Sequence, residues 1–161
     1  MEDLKTEFWK RLDSVRAAML GVEGGTLVAM SPQLDDKHPG VIWFITARGT
    51  DLQCATTHGP QKARLVVSDD KAGLYADVKG TLERSGDHET LEDIWSFVAS
   101  AWFDGGQEDP DVCLLRFTPG SAEISISEGG AVRFLYEIAK ANLTGGKPDA
   151  GAQGSVSFSA H

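Results

Sequence analysis

A short polar segment, residues 46–52, has the residue types needed to bind an anion. It contains two threonines, a glycine and Arg48, and it follows the apolar run 41–45, which favours a buried strand. Where a strand turns into a helix, exposed backbone N–H groups and the helix dipole attract anions. The segment therefore predicts a phosphate-binding turn, with an ordinary strand–loop–helix connection as the alternative.

The other residues with reactive or metal-binding side chains form no recognisable site. The four histidines are scattered without metal-ligand spacing, and no serine or cysteine lies in a Gly-x-Ser-x-Gly motif. Acidic residues between Asp87 and Asp93 fall in the first turns of an expected helix, where they favour the positive end of its dipole. Asp109-Pro110-Asp111 indicates a turn. No catalytic or metal-ligating residue is predicted.

Composition narrows the classes of partner. The chain has 161 residues, enough for one domain with a real core, and a formal net charge of −9 at pH 7. This acidity argues against nucleic-acid binding and against an anionic membrane surface. No apolar run approaches about 20 residues, and the first residues do not resemble a secretory signal. Two unpatterned cysteines, Cys54 and Cys113, indicate a reduced, cytoplasmic protein.

The first half of the chain predicts a helix followed by antiparallel strands. Leu4, Phe8, Leu12 and Val15 have helical spacing. Strands are expected over 16–22 and 26–31, joined by a glycine turn, and a polar loop over 32–40 precedes the strand that begins at Val41. A short helix is expected over 50–57. This order places the polar segment 46–52 between a buried strand and a helix.

The second half predicts further strands around one long helix. Strands are expected over 65–68 and 74–83, with Gly80 marking a bulge. Asp87 is the expected N-cap of a helix that extends to Trp102. Two strands, 112–117 and 122–127, flank Pro119-Gly120, and a last helix covers 132–143. The pattern predicts an α+β domain over 1–144, with a mainly antiparallel sheet that could close into a barrel, and a flexible Gly/Ala/Ser-rich tail over 145–161.

The order of several short motifs resembles one known family. The chain is similar, over about residues 4–127, to the general stress protein 26 group of the pyridoxamine 5′-phosphate oxidase-like, flavin-binding split-barrel family. The segments that support this resemblance are Val28-Ala29-Met30-Ser31-Pro32, Trp43-Phe44-Ile45-Thr46-Ala47-Arg48-Gly49-Thr50-Asp51-Leu52, Val78-Lys79-Gly80, Ala101-Trp102-Phe103-Asp104-Gly105-Gly106 and Leu114-Leu115-Arg116-Phe117. No single motif is diagnostic, and the ordered series gives the specificity.

The resemblance implies a six-stranded split β-barrel that forms a homodimer, with FMN at the dimer interface. The family's flavin-edge strand corresponds here to Val28, Ala29, Met30 and Ser31. Its phosphate site corresponds to Thr46, Ala47, Arg48, Gly49, Thr50, Asp51 and Leu52. The resemblance also suggests Trp102 as the side chain that reaches across to the partner's cofactor, whereas Trp95 is expected in the core.

Two departures from the family pattern affect the predicted cofactor site. Val28 stands where family members often have an arginine, and Asp51-Leu52 stands where they often have a lysine, sometimes preceded by an arginine. Losing one charge-assisted hydrogen bond of about 1.5–3 kcal/mol would weaken phosphate binding by roughly ten- to a hundredfold. Arg48 and the turn amides could compensate. Asp51 would either repel phosphate or cap the short helix with its carboxylate in solvent.

The resemblance favours flavin binding over one specific reaction. An Arg-x-His element near the C-terminus is expected of a true pyridoxamine phosphate oxidase, and this chain has Arg133-Phe134-Leu135 instead. The first hypothesis is an FMN-dependent oxidoreductase with an unassigned substrate. The alternatives are a flavin carrier or stress sensor without turnover, a split barrel that binds heme or a deazaflavin, and a dimer that binds no cofactor.

Overall fold

The computed structural model describes residues 3–127, 136, 138–140, 142, 143, 145 and 151–158. The strands occur in consecutive groups separated by helices, and a short 3-10 helix, Gly106–Glu108, precedes the longest strand. In chain order the elements are α1 (Leu4–Leu12), β1 (Ala18–Val22), β2 (Val28–Met30), β3 (Ile42–Ala47), α2 (Asp51–Ala55), β4 (Gln61–Asp69), β5 (Leu74–Ser85), α3 (His88–Ile94), α4 (Phe97–Trp102), β6 (Val112–Ser127) and β7 (Gly151–Ser157).

Six strands form a nearly closed antiparallel barrel. Their order is β2-β1-β4-β5-β6-β3, and β7 pairs with β6 outside this path. Just after β2, Gln33 forms a two-hydrogen-bond bridge with Trp43 of β3, with N···O distances of 2.8 and 2.9 Å. This bridge brings the two ends of the strand order together. The predicted α+β split barrel with flanking helices is confirmed.

Alternation along the strands divides the apolar residues between two clusters. The barrel interior holds the larger cluster, into which Phe8 and Leu12 of α1 also pack. On β3, Ile42 and Phe44 belong to this interior cluster, whereas Trp43 packs with Leu91 and Ile94 of α3 and with Leu114. Because successive strand side chains point to opposite faces, β3 is buried on both sides.

The predicted bulge at Gly80 is confirmed. The register between β5 and β6 shifts between Lys79 and Gly80, where Gly80 pairs with Pro119. A Cβ atom at Gly80 would meet the Thr118 carbonyl oxygen and would lie 2.9 Å from Phe117 Cζ. Only glycine permits this close approach.

Two predicted element boundaries are wrong. The helix expected from Asp87 to Trp102 is divided into α3 and α4, because Trp95 has extended backbone angles (φ −62°, ψ 131°) and the Ser96 hydroxyl caps α4 at Ala99 N. The two strands expected around Pro119-Gly120 form the continuous strand β6. The sheet accommodates Pro119, which has no N–H to donate, at the irregularity opposite Gly80.

The C-terminal segment also differs from the expected flexible tail. Gly151–Ser157 forms β7, which pairs in antiparallel register with Ser121–Ser127. Its small residues allow close contact with α1, since a Cβ at Gly154 would lie 3.1 Å from Leu4 Cδ1. Val156 and Phe158 pack against the interior cluster, which gives the strand an apolar anchor.

Part of the predicted last helix lies outside the described residues. Within it, residues 136, 138–140, 142 and 143 are helical. In the part of the chain that the structure describes, no helix is both long and apolar enough to cross a membrane.

Candidate functional site

The two predicted cofactor segments lie on strands at opposite ends of the barrel's strand order. Residues 28–30 form β2, and residues 46–52 span the end of β3, a turn and the start of α2. The bridge between Gln33 and Trp43 joins the chain just after β2 to β3. Both segments therefore border the place where the barrel nearly closes.

The predicted flavin-edge strand presents small and apolar side chains. Val28 and Met30 are half-buried against the interior cluster, while Ala29 and Ser31 are exposed. The Ser31 hydroxyl accepts a hydrogen bond from Gln33 Nε2 at 2.9 Å. No charged side chain lies on this strand, so any cofactor contact here would use the backbone, small side chains and apolar surface.

Hydroxyl groups in the predicted phosphate turn bond to one another. Thr50 caps α2, because its Oγ1 accepts a hydrogen bond from Gln53 N at 3.3 Å. The same hydroxyl donates to the Ala47 carbonyl oxygen at 3.0 Å, so Thr46 Oγ1, 3.0 Å away, must donate to Thr50. These bonds shape the turn and use both hydroxyl protons.

Two backbone N–H groups of the turn also have partners within the chain. Gly49, with a φ of +90°, donates its N–H to Gln53 Oε1 at 2.9 Å. The N–H of Arg48 donates to the Asp111 carbonyl oxygen at 2.8 Å. An anion at this turn would therefore have to displace the Gln53 side chain or use other donors.

The turn has one exposed cation, Arg48, and one exposed anion, Asp51. The exposed guanidinium of Arg48 donates from Nη2 to the Pro110 carbonyl oxygen at 2.8 Å, which leaves its remaining N–H groups facing outward. Asp51 is exposed in the first turn of α2, and Thr50 caps this helix in its place. Leu52 is 4% exposed and belongs to the interior cluster. Arg48 is thus the cation that this turn offers to a phosphate.

Trp102 is a strongly exposed member of the predicted site residues. It ends α4, and 80% of its surface is accessible. Trp95, by contrast, packs against the cluster around Trp43, with its ring centroid 6.0 Å from that of Phe103. An exposed tryptophan on a short helix is available for contact with another molecule.

Sequence reasoning missed the groups that hold the turn in place. Gln53 is 8% exposed, and only its spacing of four residues from Gly49 hints at its contact. The Asp109-Pro110-Asp111 turn supplies the two carbonyl oxygens that bind Arg48. It is itself fixed by Asp109, whose carboxylate accepts from Asp111 N at 2.9 Å and from Gly105 N at 3.1 Å. These bonds lower the pKa of Asp109.

Comparison with known proteins extends these observations. Residues 3–149 match the family described as "Pyridoxamine 5'-phosphate oxidase like". No protein with curated function matches the chain. The family match covers the barrel and ends before β7.

Solved structures give the same relationship. A protein given the provisional name general stress protein 26, from Jannaschia sp. CCS1, is 66% identical, with a TM-score of 0.85 over 97% of this chain and 98% of that one. The general stress FMN/FAD binding protein of Xanthomonas citri is 30% identical, with a TM-score of 0.70 over 80% of this chain and 92% of that one. A general stress family protein from Xanthomonas campestris pv. campestris is 29% identical, with a TM-score of 0.69 over 81% and 94%.

Proposed function

This chain belongs to the pyridoxamine 5′-phosphate oxidase-like family, and from that premise we propose that it is an FMN-binding protein similar to general stress protein 26. The likeness to the FMN/FAD binding protein of Xanthomonas citri supports a flavin as the ligand. The observation on which the proposal depends is the exposed Arg48 guanidinium in the turn between β3 and α2.

The described residues fit a flavin unequally along its length. Val28, Ala29, Met30 and Ser31 offer a small, apolar edge suited to a flat ring. At the phosphate end, Arg48 supplies one cation and Asp51 one exposed anion. We therefore propose that the ring contributes most of the affinity and that the phosphate contributes mainly through Arg48.

Bound flavin would supply the redox chemistry, and the protein would bind and orient it. We assign no catalytic residue. Oxidoreductase activity on an unassigned small molecule is the first form of the proposal, and a flavin carrier or stress sensor is the second. Reduction of the purified flavoprotein by NAD(P)H, followed by reoxidation, would distinguish an enzyme from a carrier. Pyridoxamine phosphate oxidase activity is not proposed, and Arg133 lies outside the described residues.

Flavin titrations test the binding proposal through the phosphate. We expect saturable binding of FMN at low micromolar concentration, on the order of 8 kcal/mol of binding free energy, and weaker binding of riboflavin, which has no phosphate. Arg48→Ala should lower FMN affinity by roughly ten- to a hundredfold and leave riboflavin affinity unchanged. Flavin fluorescence quenching measures both constants.

A matched control separates this effect from general loss of positive charge. Arg64 is also an exposed arginine, but its guanidinium forms a bidentate pair with Asp77 at 2.7 and 2.9 Å on the β4–β5 surface. Arg64→Ala should leave both flavin affinities unchanged. If Arg48→Ala binds FMN as tightly as the unmodified chain does, Arg48 is not the phosphate contact.

A second candidate is a split barrel that binds another cofactor or none. The observation that favours it is the loss of cations, since Val28 is apolar, Leu52 is buried and Asp51 is acidic. If FMN does not saturate the protein up to about 1 mM, its binding free energy is weaker than about 4 kcal/mol. That result would establish this candidate over the first. Heme and a deazaflavin would then be the ligands to titrate next.

A homodimer in the cytoplasm completes the proposal. In the family's arrangement the partner subunit closes the flavin site, and Trp102 is the side chain that we expect to reach across. Cys54 and Cys113 are both free thiols, as expected in a reducing compartment.

A further inference from the structure

An open groove of about 410 Å³ lies between the turn after α2 and the end of β5. Its walls include Thr57 and Gly59 on one side and Glu83, Arg84, Ser85 and Gly86 on the other. None of the residues that line this groove belongs to the predicted FMN contacts. The volume is within the range of about 300–1,000 Å³ that is typical of small-molecule sites.

Arg84 gives the groove an exposed cation that has no acidic partner among the described residues. Some other cations are held by carboxylates, such as Arg64 by Asp77 at 2.7 Å and Lys37 by Glu89 at 2.8 Å. Within the part of the chain that the structure describes, no carboxylate or carbonyl oxygen accepts a hydrogen bond from Arg84. The N–H donors of its guanidinium, five in all, are therefore available to a ligand. The chain has a net charge of −9, so this arginine is a local exception to its acidity.

The position of Arg84 on β5 directs it to one end of the barrel. It lies two residues after Leu82, which is fully buried in the interior cluster, so the two side chains leave the same face of the strand. Burial raises the pKa of the Cys113 thiol at this end, and the positive charges of Arg84 and Arg48 oppose that rise. The guanidinium of Arg84 is thus close enough to the barrel end to influence its electrostatics.

The groups beside Arg84 are mixed in charge and polarity. Glu83 precedes it on β5 and also lines the groove, and the cross-strand neighbour of Glu83 on β6 is Arg116. The Ser85 hydroxyl accepts from Asp87 N at 3.2 Å, which leaves its proton free to donate. The Thr57 hydroxyl donates its proton to the Gln53 carbonyl oxygen at 3.1 Å, so it is not a donor to an anion in the groove.

We propose that this groove binds the oxyanion group of a small metabolite, a phosphate or a carboxylate, with Arg84 as its charged contact and the Ser85 hydroxyl as a second donor. The planar guanidinium fork matches two oxygen atoms of either group. This site is separate from the proposed flavin site, because it uses the C-terminal side of α2 and the end of β5 in place of the turn before α2.

Amide NMR on the ¹⁵N-labelled full chain tests the proposal with inorganic phosphate as the probe. At constant ionic strength, phosphate should produce saturable shifts centred on Gly59 and Gly86. Arg84→Gln should raise the phosphate Kd by about tenfold or more. Arg64→Gln, the matched strand arginine that is paired with Asp77, should leave the Kd unchanged. FMN affinity should also be unchanged by Arg84→Gln, which separates this site from the flavin site.

Several results would overturn the proposal. Sodium chloride could reproduce the same shifts at matched ionic strength, or Arg84→Gln could leave the phosphate Kd unaltered while its spectrum remains that of a folded chain. Loss of the shifts in Arg48→Gln but not in Arg84→Gln would place the phosphate at the turn before α2. A parallel titration with acetate identifies the preferred oxyanion, since saturable shifts at the same amides with either probe support the site.

Discussion

Leu52 and Asp51 are adjacent in the sequence but occupy opposite environments. Leu52 packs in the barrel interior, whereas Asp51 is exposed in the first turn of α2. A basic side chain at position 52 would have to leave the interior to reach a phosphate, because an unpaired buried charge is very costly. Of the two outcomes considered for Asp51, the structure has its carboxylate in solvent, while Thr50 provides the cap of α2. Arg48 is exposed and anchored at one nitrogen, and it is the residue that we propose contacts the phosphate.

At Gly73, backbone conformation and packing both require glycine. Its φ is +66°, and a Cβ there would meet the Ser127 carbonyl oxygen and lie 2.6 Å from Arg11 Nη1. The same nitrogen donates to the carbonyl oxygens of Ala72 and Ser127, both at 3.1 Å, and so ties α1 to the β4–β5 turn and to β6. Gly73→Ala should lower the free energy of unfolding by about 2–4 kcal/mol, measured by urea denaturation.

Gly24→Ala is the control for the Gly73 prediction. Gly24 also has a positive φ, of +82°, but a Cβ added there would meet no described atom within 4 Å. Its substitution should cost only the backbone strain, about 1 kcal/mol. Equal losses in the two variants would show that packing around Arg11 and Ser127 does not depend on Gly73.

Elements were predictable where a local signal and the tertiary contacts agree. The alternation of β5, the glycine at its bulge and the Asp87 cap all follow from sequence and occur as expected. The division between α3 and α4 was not predicted, because the apolar spacing from Leu91 to Trp102 continues through it. The pairing of β7 was missed for a similar reason. Its composition gives little strand signal, and its stability depends on β6 and α1, which are distant in sequence.

A polar network attaches the loop over residues 32–40 to α3. Lys37 Nζ lies 2.8 Å from Glu89 Oε1 and 3.0 Å from Asp93 Oδ2. His38 Nδ1 lies 3.0 Å from Asp35 Oδ2, and its Nε2 lies 3.6 Å from Asp87 Oδ2. Because this loop follows the predicted flavin-edge strand, the network connects that strand to the helices that end at Trp102.

Asp87 makes the stability of this attachment dependent on pH. Hydrogen bonds from the Thr90 N–H and hydroxyl, and the charge of His38, lower the pKa of its carboxyl. A lowered folded-state pKa stabilises the fold above the unfolded-state value of about 4, and this contribution is lost as pH falls through the folded-state pKa. Asp87→Asn keeps a capping acceptor but removes the charge. The variant should be less stable than the unmodified chain at pH 7, and the difference should vanish near about pH 2.

Urea denaturation across this pH range measures the Asp87 effect. Asp104→Asn removes an exposed carboxylate elsewhere and should show no comparable loss at pH 7. The difference in the free energy of unfolding between the unmodified chain and Asp87→Asn could instead be the same at every pH. That result would mean that the asparagine alters the cap geometry and that charge is not the cause.

The anchor of β7 is an aromatic contact with α1. The Phe158 ring lies 5.4 Å from that of Phe8 and 5.9 Å from that of Trp9, centroid to centroid. Phe158→Ala should lower the free energy of unfolding by about 1–3 kcal/mol, less than full burial would imply because Phe158 is half-buried. It should also shift the Trp9 fluorescence to longer wavelength, measured against the same substitution in a Trp9→Phe background. Ser157→Ala, at an exposed position of the same strand, should change neither quantity.

The positive charges in the described part of the chain differ in whether a carboxylate holds them. Acidic residues exceed basic ones by nine, and several lysines and arginines are paired with carboxylates on the barrel surface and at α3. Arg48 and Arg84, in contrast, both lie near Cys113, at the end of the barrel where β3 and β5 finish and β6 begins. Asp111 also acts on the Cys113 thiol, so this end of the barrel holds charges of both signs, including two arginines without a carboxylate partner in the described part of the chain.

The exposed Trp102 is the side chain through which the proposed homodimer can be tested. With 80% of its surface accessible, Trp102 contributes little to the stability of a single subunit. If the partner's flavin is its contact, Trp102→Ala should weaken FMN binding by about tenfold, the loss of one aromatic contact, while the urea denaturation midpoint stays unchanged. Sedimentation of the unmodified chain should show a dimer at the same concentrations. Met19→Ala, which truncates another exposed apolar side chain on β1, should keep the full affinity. A monomer that binds FMN tightly, with or without Trp102, would show that one subunit forms the flavin site alone.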